Sequence, residues 1–264
     1  MPVSTVPPRR ATAAAYGGHV TKQRPETLEG RWDILYRDYP EVYEQWGTYT
    51  KTPDMMDVLN ERFGFAGRRI ADIGSGSGIS SFELARYGAT VVGIEIEPAM
   101  LAIAQAKARE AGLTTVTFER GDAEHIPLAD GSVDMAIGAT LAGGDVRVVA
   151  AEMERVVGDG GCAMRVDVAP GWYGGEFNPI IDGVPREQMD EPPYPGSANA
   201  ILPSLGYEVM DVMQEQRYPS VEDMVATYGF IHGKAVIDHI RANGITSMQW
   251  KFRVHYKAVH REQP

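Results

Sequence analysis

Cysteine is almost absent from this sequence of 264 residues, in which Cys162 is the single example. One cysteine excludes an intrachain disulfide and any metal cluster built on cysteine ligands. Cys162 lies in an apolar run, which predicts a small buried side chain. A chain without disulfides is compatible with the reducing cytoplasm.

Long apolar runs are missing as well. No segment approaches the roughly 18 apolar residues that a membrane-spanning helix requires. The first ten residues, Met1 to Arg10, contain three prolines and two arginines instead of the apolar stretch of a secretory signal. We therefore expect a soluble, cytoplasmic protein that does not associate with a membrane.

Basic residues are in deficit, since 25 Lys and Arg stand against 36 Asp and Glu and the formal net charge is -11. Binding to nucleic acid or to an anionic membrane surface depends on clustered Lys and Arg. The charge balance therefore argues against both classes of partner. It is compatible with a small neutral or cationic substrate, and the apolar content of 44% is enough for a real core.

The N-terminal segment 1–24 is rich in Pro, Ala, Thr and Gly, a composition typical of a flexible arm. Tyr16 and His19 flank a Gly-Gly pair in this arm. Two interpretations stay open: the arm orders over a ligand as a lid, or it is a disordered tail.

Aromatic residues are concentrated in the segment that follows the arm. Their spacing would line one face of a continuous helix, but Pro40 interrupts it and predicts two short helices. These rings form either a lid or pocket wall for a cationic or flat molecule, or ordinary packing on a sheet. The residues are Trp32, Tyr36, Tyr39, Tyr43, Trp46 and Tyr49.

From Arg69 onward, short apolar strands alternate with helices, which predicts βαβ units and a parallel sheet covered on both faces. The expected strands are 70–73, 90–94, 115–119, 133–137, 161–168, 207–215 and 248–259, and the expected helices are 80–87, 98–111, 145–157, 198–205 and one or more over 221–243.

The first strand and the turn after it carry the strongest signal, Ile70-Ala-Asp-Ile-Gly-Ser-Gly-Ser-Gly78. Its glycines allow a sharp turn and a close approach to a ligand. Glu95 ends the second strand at a spacing of about 20 residues, which suits hydrogen bonding to a ribose. A nicotinamide dinucleotide fingerprint would need a third glycine where Ile79 stands, so an NAD-dependent oxidoreductase is disfavoured.

These residues resemble the first motif of class I S-adenosylmethionine-dependent methyltransferases. Val91-Val-Gly-Ile-Glu95, followed by Pro98-Ala-Met-Leu101, is similar to their second motif, and Gly121 to Asp134 resembles the segment between their third and fourth strands. The resemblance covers about residues 65 to 170. It implies a three-layer, Rossmann-like α/β fold with a mostly parallel seven-stranded sheet, helices on both faces and an N-terminal helical cap.

The resemblance also implies the residues that hold the cofactor, S-adenosylmethionine, with S-adenosylhomocysteine as the product. Gly74, Gly76 and Gly78 would border its methionine part, with Asp72 near the amino group and Ser75 in the same turn, where many family members have Cys. Glu95 would bind the ribose and Ile96 would pack on the adenine. Asp122 would bond the adenine amine, with the Ala123 backbone nearby, and carbonyls around Gly138 would close the site beneath the methionine.

The same resemblance implies an organisation around one methyltransferase domain, 25–264, behind the arm. Its expected parts are the helical cap 25–64, the cofactor-binding core 65–170, a substrate-side insert 171–197 and C-terminal helices and strands 198–264.

The expected function is methyl transfer to a small-molecule acceptor, which the acidic charge and the absence of a recognition domain favour. The expected setting is specialised natural-product metabolism. The alternative is an enzyme of this fold that uses bound S-adenosylmethionine for a cyclisation or rearrangement. His19, His232 and Tyr228 are the candidate catalytic residues, and Trp172 and Tyr173 are candidates for the acceptor pocket. No metal site is expected, and a homo-oligomer is possible.

Overall fold

The structure is a computed structural model that describes residues 24–141, 143–183 and 195–261. Most of the expected arm, with Tyr16 and His19, lies outside the described residues, as does part of the expected insert. The elements and contacts given below are those of the described part of the chain.

Two short helices stand at the start of the described chain, and this confirms the prediction from the aromatic spacing. Helix α1 covers Trp32–Asp38 and α2 covers Pro40–Gly47. Pro40 is the first residue of α2, a position where its missing N–H breaks no helical hydrogen bond. A short strand and a helix follow, β1 (Thr50–Thr52) and α3 (Met55–Phe63).

Strands and helices then alternate as predicted, and β4 and β5 are joined without a helix, also as predicted. The elements are β2 (Arg69–Ile73), α4 (Ile79–Arg86), β3 (Thr90–Glu95), α5 (Pro98–Glu110), β4 (Val116–Arg120), β5 (Val133–Ala139), α6 (Val146–Val156) and β6 (Val157–Val168).

The described part of the expected substrate-side insert contains a 3-10 turn over Gly175–Phe177 and a short helix. The remaining elements are α7 (Asn178–Ile181), α8 (Ala198–Ser204), β7 (Glu208–Arg217), α9 (Val221–Met224), a π-helical turn (Val225–Gly229), α10 (Phe230–His232), α11 (Lys234–Asn243) and β8 (Ser247–Val259).

All strands belong to one sheet with the order β1-β7-β8-β6-β5-β2-β3-β4. The five strands from β6 to β4 in this order are parallel, and β8 lies antiparallel between β6 and β7. The chain runs outward from β2 to β3 and β4, then returns to β5 on the other side. Ligands bind at such a switch point, outside the carboxyl ends of the strands.

The prediction of seven strands was wrong by one, because the described residues form an eight-stranded sheet. The additional strand is β1, which pairs antiparallel with β7 from Thr50 opposite Arg217 to Thr52 opposite Glu215. Its sequence, Thr-Lys-Thr, is short and has no apolar alternation, so the pattern that predicts strands could not detect it.

Helices cover both faces of the sheet, and this confirms the three-layer arrangement. One face packs on α3, α4 and α5 through a cluster that includes Leu59, Leu84 and Ala104. The other packs on α6 and α8 through a cluster that includes Met153 and Leu202. Burial of these apolar faces holds the carboxyl ends of β2, β3 and β5 in fixed relative positions.

Two further expectations can be compared with the structure. Cys162 lies on β6 at the border of the first cluster and is half-buried, so the predicted buried side chain is covered only in part. None of the described helices combines the length and the apolar character that crossing a lipid bilayer demands.

Candidate active site

The glycine turn joins β2 to α4 with backbone angles that favour glycine. Gly74, Gly76 and Gly78 have φ of 70°, 54° and 85°, in the left-handed region where other residues are strained. Space is also restricted at two of them. A Cβ on Gly74 would lie 2.3 Å from Cδ1 of Leu141, and one on Gly78 would lie 2.7 Å from Cζ of Phe118.

Glu95, at the carboxyl end of β3, is buried beside this turn. Its Oε2 accepts a hydrogen bond from the Gly76 N–H at 2.7 Å, and its Oε1 accepts one from the Glu97 N–H at 2.7 Å. Each carboxylate oxygen retains a second lone pair. The carboxylate can therefore hold the turn and still accept hydrogen bonds from the hydroxyls of a ribose.

Asp72 lies one residue before the end of β2 and is buried behind the turn. The Ser81 hydroxyl donates a hydrogen bond to its Oδ2. Burial raises the pKa of Asp72 to about 6, with the Glu95 carboxylate adding to the rise and the hydrogen bonds from Ser81 opposing it. The residue thus braces the first turn of α4 and adds negative charge behind the crevice.

Two further residues of the predicted cofactor set, Ser75 and Ile96, have a polar atom or an apolar surface that no other described residue satisfies. The hydroxyl of Ser75 is buried without a hydrogen-bonding partner in the described part of the chain, and such an atom costs free energy unless a partner arrives. Ile96 follows Glu95 with 56% of its surface exposed, although it is a large apolar residue. An adenine ring packing on Ile96 would remove that surface from water.

Asp122 and Ala123 form a tight turn after β4. The Glu124 N–H donates to Oδ1 of Asp122 at 3.0 Å, and the His125 N–H donates to its carbonyl oxygen at 3.0 Å. Ala123 packs on the second apolar cluster. The second oxygen of the Asp122 carboxylate remains available to an adenine amine.

Gly138 lies buried in β5 opposite Arg165 of β6. The segment after it was not singled out in the sequence, but the structure fixes it firmly. Thr140 has a positive φ of 52°, and its N–H donates to the carbonyl oxygen of Val166 at 2.7 Å. Arg165, buried and paired with Asp167 at 3.0 Å, donates to the Leu141 carbonyl at 2.8 Å.

The N-terminal helices are attached to the glycine turn by Glu44 of α2, another residue that the sequence did not reveal. The Ser77 hydroxyl donates a hydrogen bond to Glu44, and the Lys107 ammonium of α5 pairs with it at 2.6 Å. A Cβ on Gly47 would lie 2.2 Å from Cδ1 of Ile79, so α2 also packs closely on the start of α4.

Tyr36 and Tyr43 bring aromatic rings to this crevice, with their ring centroids 5.2 Å apart and nearly perpendicular. Burial and the Glu95 carboxylate raise the pKa of Tyr36 to about 12. Burial raises the pKa of Tyr43 well above its usual range, and Tyr36, Glu44, Asp72 and Glu95 add to the rise. Both rings therefore stand among the acidic groups of the crevice.

A second group of rings adjoins the two tyrosines, and we call it the aromatic cluster: Trp32, Trp46, Tyr228, His232 and Trp250. Neighbouring members lie 4.4–6.1 Å apart between ring centroids and form a closed circuit. Trp32 connects the cluster to Tyr36, 6.0 Å away. The rings of Trp32, Tyr36, Tyr43 and Trp46 thus form a continuous aromatic wall on α1 and α2, which is backed by Tyr228 and Trp250 in the core.

The candidate catalytic residues fall in different places. His19 lies outside the described residues. His232 is 8% exposed, and its Nε2 has no hydrogen-bonding partner among them. Burial lowers the pKa of His232 to about 4. Tyr228 is fully buried, and its hydroxyl donates to the carbonyl oxygen of Gly174.

The candidates for the acceptor pocket, Trp172 and Tyr173, lie just past β6. Trp172 is buried with its indole N–H unpartnered in the described chain, whereas Tyr173 is 51% exposed. Within the same residues, no cluster of three or more His, Cys, Asp or Glu has a geometry that could hold a metal ion.

Comparison with known proteins agrees with this geometry. Residues 70–161 match the family model described as a methyltransferase domain. An O-methyltransferase of ubiquinone biosynthesis from Pseudomonas fluorescens is 43% identical over 95 residues, which are 36% of this chain and 38% of that protein. An uncharacterized protein of Mycobacterium tuberculosis is 32% identical over 130 residues, 48% of this chain and 47% of that one. The chain thus spans about half the length of its curated relatives, or less.

Among solved structures, the YcgJ protein of Bacillus subtilis superimposes with a TM-score of 0.52 at 20% identity, over 83% of this chain and all of that one. At that identity the likeness shows the fold alone. Strand order, crevice and family match agree: residues 70–161 form a methyltransferase domain, and the fold around them is that of the class I S-adenosylmethionine-dependent methyltransferases.

Proposed function

We propose that this protein transfers the methyl group of S-adenosylmethionine to a small-molecule acceptor. One observation carries the proposal: the N-terminal helices bring an aromatic wall to the same crevice that the glycine turn and Glu95 form. An enzyme of this class needs a cofactor site and an acceptor site that meet, and this arrangement supplies both.

The residues of the crevice suit the cofactor. Glu95 keeps free lone pairs at the carboxyl end of β3, the Ser75 hydroxyl lacks a partner in the described chain, and Ile96 offers an uncovered apolar surface. We assign Glu95 to the ribose, Ile96 to the adenine and the turn from Gly74 to Gly78 to the methionine part. When bound, S-adenosylmethionine supplies an electrophilic methyl group on a sulfonium.

The task of the protein is then to orient an acceptor in line with that methyl group and to exclude water, and positioning of this kind can contribute several kcal/mol. The aromatic cluster is the surface we assign to the acceptor. Trp32 and Trp46 are half-buried and keep accessible ring surface, whereas Tyr228 and Trp250 support them from the core. Flat or apolar molecules stack well on such rings.

His232 is the side chain of the cluster that we assign to a polar group of the acceptor. Its unpartnered Nε2 and its lowered pKa make it a neutral imidazole, which accepts a hydrogen bond from a hydroxyl or an amine. Tyr228 supports this ring at a centroid distance of 4.4 Å. Since Nε2 is shielded from solvent, an acceptor reaches it only if a neighbouring ring, such as that of the half-buried Trp32, turns aside.

The small size of the acceptor is supported by the net charge of -11 and by the relative named for ubiquinone biosynthesis. A role in specialised metabolism belongs to the same proposal, and it rests on the aromatic character of the acceptor wall.

The test combines calorimetry and product analysis. We expect the purified protein to bind S-adenosylhomocysteine in a one-to-one ratio, and to transfer tritium from methyl-labelled S-adenosylmethionine to members of a panel of flat phenols and amines. The mass of each product distinguishes an added methyl group from a cyclised isomer of unchanged mass, which would favour the alternative reaction. Absence of S-adenosylhomocysteine binding would overturn the proposal.

A further inference from the structure

Tyr43 occupies a special position relative to the two ends of the crevice. Its neighbour in sequence, Glu44, is bonded to Ser77 in the glycine turn, so this part of α2 is fixed directly over that turn. Glu95, assigned to the ribose, and Asp72, at the methionine end, both act on the Tyr43 hydroxyl electrostatically. Tyr43 and its ring partner Tyr36 thus belong to the part of α1 and α2 that is attached to the glycine turn. The sulfonium of the cofactor joins the methionine part, assigned to this turn, to the ribose, assigned to Glu95.

The surroundings of the Tyr43 hydroxyl are those of a cavity wall. Burial and nearby charges raise the pKa of both Tyr43 and Tyr36, and no hydrogen bond from either hydroxyl contributes to the rise. Both side chains are half-buried, although protein surrounds them. This combination is that of a cavity wall and differs from the complete burial of Tyr228 in the core.

The electrostatic setting favours a cation in front of these rings. The ionisable groups that act most strongly on Tyr43 are Tyr36 and the carboxyl groups of Glu44, Asp72 and Glu95. The Lys107 ammonium is paired with Glu44, so its charge offsets that of Glu44 and leaves the carboxyl groups of Asp72 and Glu95 to act on the crevice. An aromatic face attracts a cation held within about 6 Å of the ring centre, and the attraction grows when water is excluded. A neutral thioether at the same place gains nothing from it.

We propose that Tyr43, braced at its edge by Tyr36, recognises the positive charge of the sulfonium, so that the protein binds S-adenosylmethionine more tightly than S-adenosylhomocysteine. This inference rests on the proposed function, because it assumes the cofactor in the crevice. Tyr43 is a specificity residue in this account: it distinguishes the charged cofactor from the spent, neutral product and favours release of the latter.

The experiment measures the affinities of both molecules by calorimetry in the full chain. We expect Tyr43→Leu, which removes both ring and hydroxyl, to lower the preference for S-adenosylmethionine about three- to tenfold, as the loss of a partly desolvated cation–π contact implies. Tyr43→Phe keeps the ring face and should keep most of the preference. S-adenosylhomocysteine should bind all three proteins with similar affinity.

A matched control is Tyr49→Leu, because Tyr49 lies past α2, against Tyr218 at 4.8 Å and away from the crevice. It should leave the preference unchanged. Equal preference in wild type and Tyr43→Leu would overturn the inference, and so would a wild-type protein without preference, a result that needs no variant at all. Failure of the proposed function is distinct, since S-adenosylhomocysteine would then not bind even to wild type.

Discussion

The backbone N–H of Gly76 donates a 2.7 Å hydrogen bond to the carboxylate of Glu95, so the glycine turn after β2 and the acid at the end of β3 form one unit. A parallel pairing of β2 with β3, from Arg69 opposite Thr90 to Ile73 opposite Ile94, brings the two strand ends together. The acid therefore shapes the turn as well as the ribose pocket that we assign to it.

Replacing this acid should weaken cofactor binding. We expect Glu95→Ala to lower the affinity for S-adenosylhomocysteine by about tenfold or more, because hydrogen bonds to a charged group are worth roughly 1.5–3 kcal/mol. The affinity of Glu95→Gln should lie between those of wild type and Glu95→Ala, since its single carbonyl oxygen cannot accept from both the Gly76 and the Glu97 N–H. Calorimetry measures both, with the exposed Glu110→Ala on α5 as the control. An alanine variant as tight as wild type would contradict the assignment.

Gly74 offers a test of how closely Leu141 covers the turn. Gly67 is a matched position, because its φ of 75° is close to the 70° of Gly74 while a Cβ on it would meet nothing within 4 Å. Alanine at either site should lower the free energy of unfolding by about 1 kcal/mol, because the left-handed backbone is unfavourable for any residue with a Cβ. Gly74→Ala should cost more in stability and should also weaken S-adenosylhomocysteine binding, because its Cβ displaces Leu141.

Thermal unfolding and calorimetry separate the two effects. In the background of Leu141→Ala, the added penalty of Gly74→Ala should shrink to that of Gly67→Ala. If Gly74→Ala and Gly67→Ala behave alike in the wild-type background, the contact with Leu141 does not constrain the turn.

The sequence predicted the turn, Glu95 and the strand alternation because these signals are local. A strand, three glycines and a helix follow one another within a few residues, and the apolar periods of β2 and β3 place Glu95 at the correct edge. The break between α1 and α2 was predicted for the same reason, since Pro40 disrupts a continuous helix at its own position.

Glu44, Leu141 and Arg165 escaped prediction for the opposite reason. Glu44 contacts Ser77 and Lys107, which are far away in the chain, and nothing in the spacing of these residues indicates that they meet. The importance of Arg165 depends on strand register, which places it beside the Leu141 carbonyl. Contacts of this kind exist only once the sheet and helices have packed.

Glu44 should hold the N-terminal helices on the glycine turn. We expect Glu44→Gln to release S-adenosylhomocysteine several-fold faster and to lower the free energy of unfolding by about 1 kcal/mol, since the pair with Lys107 is partly exposed. Stopped-flow displacement measures the release rate. The exposed Glu41→Gln on the same helix is the control and should leave both values unchanged.

Salt provides a second measurement on the same contact. Raising the ionic strength screens a partly exposed ion pair, so wild-type release should accelerate with salt, whereas release from Glu44→Gln should respond less. The same salt dependence in both proteins would show that Glu44 does not secure these helices.

His255 makes the stability of the protein sensitive to acid. It is completely buried on β8, and neither ring nitrogen has a hydrogen-bonding partner among the described residues. Burial, together with the positive charges of Arg253 and Arg165, lowers its pKa from 6.5 to about 4. Between pH 6.5 and about 4, His255 is protonated in the unfolded chain and neutral in the folded protein. The contribution of His255 to the free energy of unfolding therefore falls as the pH falls. Asp72 acts in the opposite sense, because its folded pKa is raised from 3.8 to about 6.

A variant isolates the histidine from the other titrating groups. We expect His255→Leu to remove an acid-dependent loss that reaches about 3 kcal/mol near pH 4 in wild type, following about 1.4 kcal/mol for each pKa unit. Urea unfolding across that pH range measures it as the difference between the two proteins, so the contribution of Asp72 cancels. The exposed His260→Leu should follow the wild-type curve. Parallel curves for His255→Leu and wild type would mean that the imidazole gains its proton in the folded state as readily as in the unfolded chain.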